Sequence, residues 1–235
     1  EVRVIAGYVE GLARDDLVAL AGKAREKKKP LVLMKVGASA AGARASLAHT
    51  GNLVGNDAAY AAAFRQFGIV RPQSVDELLD FSHVLAISPL PRGTGAGIIT
   101  ISGGAGILMA DWCEASGLDV VPLAADTVNR LKPVLPWFAT PANPLDTTGR
   151  PLWDAGMLEQ AITAVAADPG VNIVLVYVGL APGPAVRIAN EILAGARAAQ
   201  GKPVLVCWLP ENEASAHASL RQASLPVFTE PVRMV

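Results

Sequence analysis

The chain is short of several features that would each place it in a familiar class. It has two cysteines in 235 residues, Cys113 and Cys207. They lie far apart in apolar segments with no second thiol or histidine at metal-ligand spacing. A disulfide scaffold and a zinc site are therefore disfavoured, and buried free thiols in a reducing compartment are expected. Clustered positive charge is scarce: residues 27–29 form the single basic run, and the net charge is -1. That balance offers no footprint for nucleic acid or an anionic membrane. No apolar run approaches the ~20 residues of a membrane-crossing helix, and the opening EVRVIAGYVEGLARDD lacks the pattern of a signal peptide. A cytoplasmic location is expected. Aromatic residues make up 5% of the chain. Trp112, Trp137, Trp153 and Trp208 show no spacing of a stacking platform and are expected in cores or in packing between domains.

What is present is a chain 51% hydrophobic and 17% charged, a composition that folds. Short β-branched runs alternate with alanine-rich amphipathic stretches, the pattern of an α/β protein with parallel sheets. Strands are expected at residues 2–9, 31–36 and 69–71, with helices at 15–27 and 57–67. The second helix ends at Gly68, which tolerates left-handed angles. A further helix starts after Ser74, with Glu77 at capping-box spacing. The proline- and glycine-rich SPLPRGTGAG then marks a boundary, giving expected domains at residues 1–92 and 93–235. In the second, strands at 97–102, 119–123, 171–178, 203–209 and 226–228 alternate with helices at 105–116, 126–135, 153–167, 184–200 and 212–223. The apolar run at 171–178 is expected to be central. Five strands suffice for a flavodoxin-like, doubly wound domain. Three strands leave the first domain short of partners; it is expected to be incomplete, within a fragment of a longer protein.

The segment GASAAGARASLAHTGNLVG (residues 37–55) follows a strand and consists mostly of small residues. Such a segment lets backbone approach an anion, and a helix starting near Ser39 would aim free amides at it. His49, flanked by Thr50 and Gly51, carries a ring nitrogen that can accept a phosphoryl group. Glu10 closes the first strand in GYVEG, at the same sheet edge as the residue 37 loop. A carboxylate there could fix an imidazole tautomer and stabilise its charge. TISGGAGILMAD (residues 100–111) reads strand, glycine turn, helix. Ser102, Gly103, Gly104, Ala105 and Gly106 thus form a candidate phosphate cradle at a helix N-terminus, lacking both the Lys-Ser/Thr ending of a Walker A loop and the dinucleotide GxGxxG. Tight strand-to-helix packing would explain the same glycines. NPLDTTG (residues 143–149) puts Asn143 and Asp146 in an irregular loop that could line a polar site or make Asx turns. Gly179 begins GLAPGP after the central strand and could offer amides to a substrate carboxylate. His83 and His217 fall in helical patterns, where structural roles are expected.

In their order along the chain, YVEG, the SAAGARASLAHTGNLVGND stretch, ISGGAGILMAD and NPLDTTG resemble the ADP-forming acyl-CoA synthetases, the acetate–CoA ligase type related to succinyl-CoA synthetase. The resemblance covers nearly the whole chain. It implies that ATP phosphorylates His49, which matches the family's phosphorylated histidine, and that Glu10 matches the glutamate steadying it. Residues 37–39 and the helix after Gly103 and Gly104 match the two helix N-termini that hold phosphate. The phosphoryl group would then pass to a carboxylic acid, and CoA would attack the acyl phosphate. ATP/ADP, CoA and Mg²⁺ are the implied cofactors. No Rossmann-type CoA-binding domain and no ATP-grasp domain with its Mg²⁺ carboxylates is legible, so both are expected on a longer chain or a partner subunit, and no metal ligands are assigned here. An oligomer remains open, and the acid cannot be read. Two other readings stand beside this one. One is a silent acyl-CoA- or nucleotide-sensing module of a protein acetyltransferase, against which the retention of His49 and Glu10 argues. The other is a small-ligand-binding α/β protein without chemistry.

Overall fold

A computed structural model describes residues 2–50, 55–180, 183–209 and 214–235; the side chains of residues 49, 50, 180 and 214 lie outside that description. The chain divides into two compact units, Glu1–Ala86 and Ile87–Val235. The division falls near the end of a helix, ahead of the proline- and glycine-rich turn at which the sequence suggests it.

The first unit contains β1 (Ile5–Val9), α1 (Arg14–Glu26), β2 (Leu31–Lys35), α2 (Ala40–Thr50), α3 (Asp57–Phe67) and α4 (Val75–Ile87), whose last residue opens the second unit. β1 and β2 run parallel, with Val9 opposite Lys35 at their carboxyl ends. On the other edge of β2, Val70 exchanges backbone bonds with Leu31 and Leu33, so the expected third strand is reduced to a single bridge. Leu17, Ala21 and Ala24 recur on one face of α1 and are buried against Leu31, Leu33, Tyr60, Phe64 and Ile69. This is the apolar stripe that helix periodicity prescribes. α3 starts where the Asn56 side chain accepts the Ala58 amide (2.9 Å) and stops at Gly68 (φ 65°), a conformation that costs glycine little. At α4, Ser74 Oγ accepts the Glu77 amide (3.1 Å), while Glu77 reaches back to the amide of Gln73 (2.6 Å), one residue beyond the usual capping-box partner.

The second unit contains β3 (Gly95–Thr100), α5 (Gly103–Ala115), β4 (Asp119–Val120), α6 (Ala125–Leu131), β5 (Leu145–Asp146), a 3-10 turn (Arg150–Leu152), α7 (Met157–Ala166), β6 (Ile173–Leu180), α8 (Ala185–Ala198), β7 (Val204–Leu209), α9 (Ala214–Gln222), β8 (Val227–Phe228) and α10 (Pro231–Met234). All strand pairs are parallel, in the order β4-β3-β6-β7-β8. With the two-residue β5 left out of the count, the order within the unit is 2-1-3-4-5, the flavodoxin-like winding. β5 pairs with Ile99 and Thr100 of β3, beyond the stretch that β4 occupies. Ile98, Ile99, Val174, Leu175, Val176 and Val206 are fully buried, as strands covered on both faces require.

Several sequence expectations are corrected. The helix expected from Trp153 begins at Met157, because Pro151 sits in the 3-10 turn and Gly156 (φ 82°) precedes the first helical residue. The helix expected to reach residue 135 ends at Leu131. β5 and α10 are too short to show a period and were not anticipated. Of the tryptophans only Trp208 is a core residue; Trp137 and Trp153 are 95% and 73% exposed, on the irregular connection between α6 and α7. Both cysteines are buried free thiols, and burial pushes Cys113 up to about 11 and Cys207 up to about 12.

Candidate active site

In parallel α/β sheets the strand carboxyl ends carry ligands, and the candidate residues lie at those ends in each unit. In the first unit, β2 leads into Gly37, whose φ of 75° turns the chain sharply into α2. Ser39 caps that helix: its Oγ accepts the Gly42 amide (3.0 Å) and its carbonyl the Ala43 amide (2.8 Å). Gly42 packs directly on the turn, since a Cβ there would stand 3.1 Å from Gly37 Cα. The Ser39 hydroxyl is therefore committed to the helix. The amides of Ala40 and Ala41 find no acceptor among the described residues, which leaves them as anion donors.

α2 ends at His49 and Thr50. Their side chains, and Gly51 altogether, fall outside the described residues. What is described is the approach to them. Ser46, buried and three residues before His49, donates its hydroxyl to Glu10 Oε2 at 2.8 Å. Residues three apart share a helix face, so Glu10 is tied to the face of α2 on which position 49 lies. Lys35, the last residue of β2, is 6% exposed. Its ammonium donates to the Val36 carbonyl and stands 4.9 Å from the centre of the Tyr60 ring. Burial pushes its pKa below the usual lysine range; the Arg71 charge acts in the same direction, while Asp57 and Glu10 oppose it. Neither Ser46 nor Lys35 was singled out from sequence. A lysine inside the apolar run LVLMKV was the available signal.

In the second unit, β3 runs into the turn before α5. Thr100, fully buried, clamps that turn, its hydroxyl donating to the Ser102 carbonyl and accepting the Ser102 amide, both at 2.9 Å. Ser102, Gly103 and Gly104 are exposed and Ala105 is half-buried. A Cβ on Gly104 would meet nothing, whereas one on Gly103 would lie 2.8 Å from Asp146 Oδ2. The Asp146 carboxylate thus sits at the N-terminus of α5, its other oxygen accepting the Thr148 amide (2.8 Å). Gly106 is buried against Thr100 and Pro144 and serves packing.

Asn143 and Gly179 also have structural occupations. Asn143 donates to the carbonyls of Ala96 (2.7 Å) and Val121 (2.8 Å) and accepts the Ile98 amide (2.9 Å), stitching β3 to the segment after β4. Its amide hydrogens are spent. Gly179 (φ 61°) occupies a register shift between β6 and β7, where a Cβ would press on the Tyr177 ring at 3.0 Å. Among the described residues no cluster of three or more His, Cys, Asp or Glu could hold a metal ion. None of the described helices is long and apolar enough to cross a membrane.

In the first unit a helix reaching position 49 is thus tied to a strand-end carboxylate, and in the second a glycine turn opens a helix at a strand carboxyl end. Residues 1–85 match the succinyl-CoA ligase like flavodoxin domain and residues 96–228 the Ligase-CoA domain. The chain belongs to the family of ADP-forming acyl-CoA synthetases built from these domains. It is 33% identical over 233 residues to an ADP-forming acetate–CoA ligase I of Archaeoglobus fulgidus, covering 99% of this chain and 33% of that one. It is 32% identical to the alpha subunit of ADP-forming acetate–CoA ligase I of Pyrococcus furiosus, covering 99% and 50%. Among solved structures it matches a dinucleotide-forming acetyl-coenzyme A synthetase 1 of Ca. Korarchaeum cryptofilum, in complex with phosphate and ADP, with a TM-score of 0.87, 27% identity, and coverage of 98% and 51%. The chain thus spans a third to a half of the length of these relatives.

Proposed function

We propose that the chain is the phosphohistidine-bearing core of an enzyme that makes an acyl-CoA from a carboxylic acid, CoA and ATP, releasing ADP and phosphate. The observation that carries this reading is the Ser46–Glu10 hydrogen bond, which fastens a strand-end carboxylate to the helix ending at His49. Glu10 would hold one imidazole nitrogen protonated, leaving the other as nucleophile. That nitrogen attacks the γ-phosphorus of ATP and ADP leaves. A carboxylate oxygen of the acid then attacks the phosphorus, freeing the imidazole and giving an acyl phosphate. The CoA thiolate attacks the acyl carbon and expels phosphate.

In each unit a helix N-terminus is suited to binding an anion: α2 through the amides of Ala40 and Ala41, and α5 through those around Gly103 and Gly104. Thr50, Gly51, Ser102 and Ala105 complete the proposed phosphate contacts. ATP, Mg²⁺ and CoA would be held mainly by segments corresponding to the remaining length of the relatives, in the same polypeptide or on a partner such as the one implied by an alpha subunit. Two buried free thiols suit a reducing, cytoplasmic setting. The full-length protein with its partner, given acetate or a larger acid, CoA and Mg·ATP, is expected to release ADP in step with acyl-CoA. Release of AMP, or no CoA-dependent turnover with any acid, would contradict the proposal.

A further inference from the structure

The buried ammonium of Lys35 is a group for which the reaction as derived has no use, and its setting is unusual. Lysine is almost never fully buried unless paired, and an interior charge without a counter-ion is costly. Lys35 has no carboxylate within ion-pair distance among the described residues; its contacts are the Val36 carbonyl and the Tyr60 ring. Asp57, the carboxylate best able to neutralise it, is engaged by Arg71 at 2.6 Å. Tyr60 is itself locked, its hydroxyl donating to the Leu12 carbonyl and accepting the Leu12 amide, both at 2.6 Å, just beyond Glu10. The positive charge is therefore held rigidly at the carboxyl end of β2, two residues before the Gly37 turn. Its strand register places it opposite Val9, the neighbour of Glu10.

We propose that Lys35 is a positioning residue for phosphoryl transfer: its charge, with no ion-pair partner among the described residues, supplies positive potential at the strand ends beside Glu10 and favours the phosphoryl group on His49. This deepens the phosphohistidine reading and rests on it. The groups that face the ammonium are Glu10 at the end of β1, Asp57 and Tyr60 on α3, and Arg71 beside the Val70 bridge. With burial pushing the ammonium's pKa down and Arg71 adding to the effect, Lys35 loses its proton at a lower pH than an exposed lysine. Phosphoenzyme formation then carries an alkaline limb set by this residue.

The test measures phosphoenzyme formed from labelled ATP by the full-length protein, as a function of pH, in wild type, Lys35→Met and Lys35→Arg. Lys35→Met, folded by circular dichroism, is expected to form phosphoenzyme about tenfold less well at neutral pH, the order of effect of removing one unit charge from partly buried surroundings. Lys35→Arg is expected to retain labelling and lose the alkaline limb, because a guanidinium does not titrate there. Should Lys35→Met not fold, the Lys35→Arg profile decides alone. Normal labelling in Lys35→Met, or an unchanged alkaline limb in Lys35→Arg, overturns the role of Lys35 while leaving the phosphohistidine standing. An unlabelled wild type overturns both.

Discussion

Glu10 shows how a single carboxylate acquires a task from its neighbours. A glutamate at a strand end is ordinarily solvated, yet here a buried serine hydroxyl holds it against the helix that ends at position 49. Replacing it with glutamine keeps the shape and removes the charge. Glu10→Gln is expected to lower phosphohistidine formation by about 10- to 100-fold, the worth of one charged hydrogen bond, with little change in melting temperature. Quantifying acid-labile label beside a thermal melt checks this. His49 and Glu10 stand out as candidates in the sequence because each sits in a short, small-residue context after a strand. Asn143 and Gly179 have structural occupations that the sequence did not show, because a polar or glycine residue in a loop looks the same whether it meets a ligand or its own backbone. Asn143 spends its amide on Ala96, Val121 and Ile98, and Gly179 yields to the Tyr177 ring. Lys35 and Ser46 stayed hidden because their importance lies in which strand ends adjoin.

Among the elements, helices with a clear stripe and a punctuating residue read well: α3 spans Asp57–Phe67 and ends at Gly68 as expected. Elements governed by tertiary pairing read poorly. β5 exists because Leu145 and Asp146 complete the edge of β3 beyond β4, which no local pattern announces. Close approach of helices is similarly invisible. On α8, a Cβ at Gly195 would stand 2.7 Å from Ile162 Cβ on α7. Although alanine is the better helix former, Gly195→Ala is expected to destabilise the second unit by about 1–3 kcal/mol through overpacking. A lowered urea midpoint with unchanged m would bear that out; a raised midpoint would mean α7 and α8 can separate without loss. Arg187 and the buried Glu191 hold the same pair from the other direction. Arg187 donates to Glu191 and to the carbonyls of Pro151 and Leu152, and Glu191 accepts the Leu158 amide.

At the scale of the molecule, the alternation of strand and helix patterns announced two α/β units, and the all-parallel pairing of the second accords with its strand-helix-strand connections. The loop between α7 and β6 is secured by Asp168, which is 1% exposed and accepts the amides of Ala124 (2.8 Å) and Gly170 (2.9 Å). Burial alone would raise its pKa, but hydrogen bonding and the Lys202 charge outweigh it and hold the carboxyl below the usual range. A carboxylate depressed on folding contributes stability above its unfolded pKa and loses that contribution as pH falls through the folded value. The second unit is therefore expected to weaken below about pH 4, and Asp168→Asn to flatten that acid limb while lowering stability at neutral pH. Urea midpoints between pH 3 and pH 7 read both effects; an acid limb of wild-type steepness in the variant would assign it elsewhere.

The central claim is that His49 carries a phosphoryl group, and one labelling experiment addresses it directly. Full-length wild-type protein and His49→Ala are incubated with γ-labelled ATP and Mg²⁺, and the label is followed through acid, base, and addition of a carboxylic acid with CoA. The account predicts label that is acid-labile, base-stable, absent from His49→Ala and discharged by acid plus CoA. Equal labelling of the two proteins, or no label in wild type shown separately to bind ATP, would contradict it.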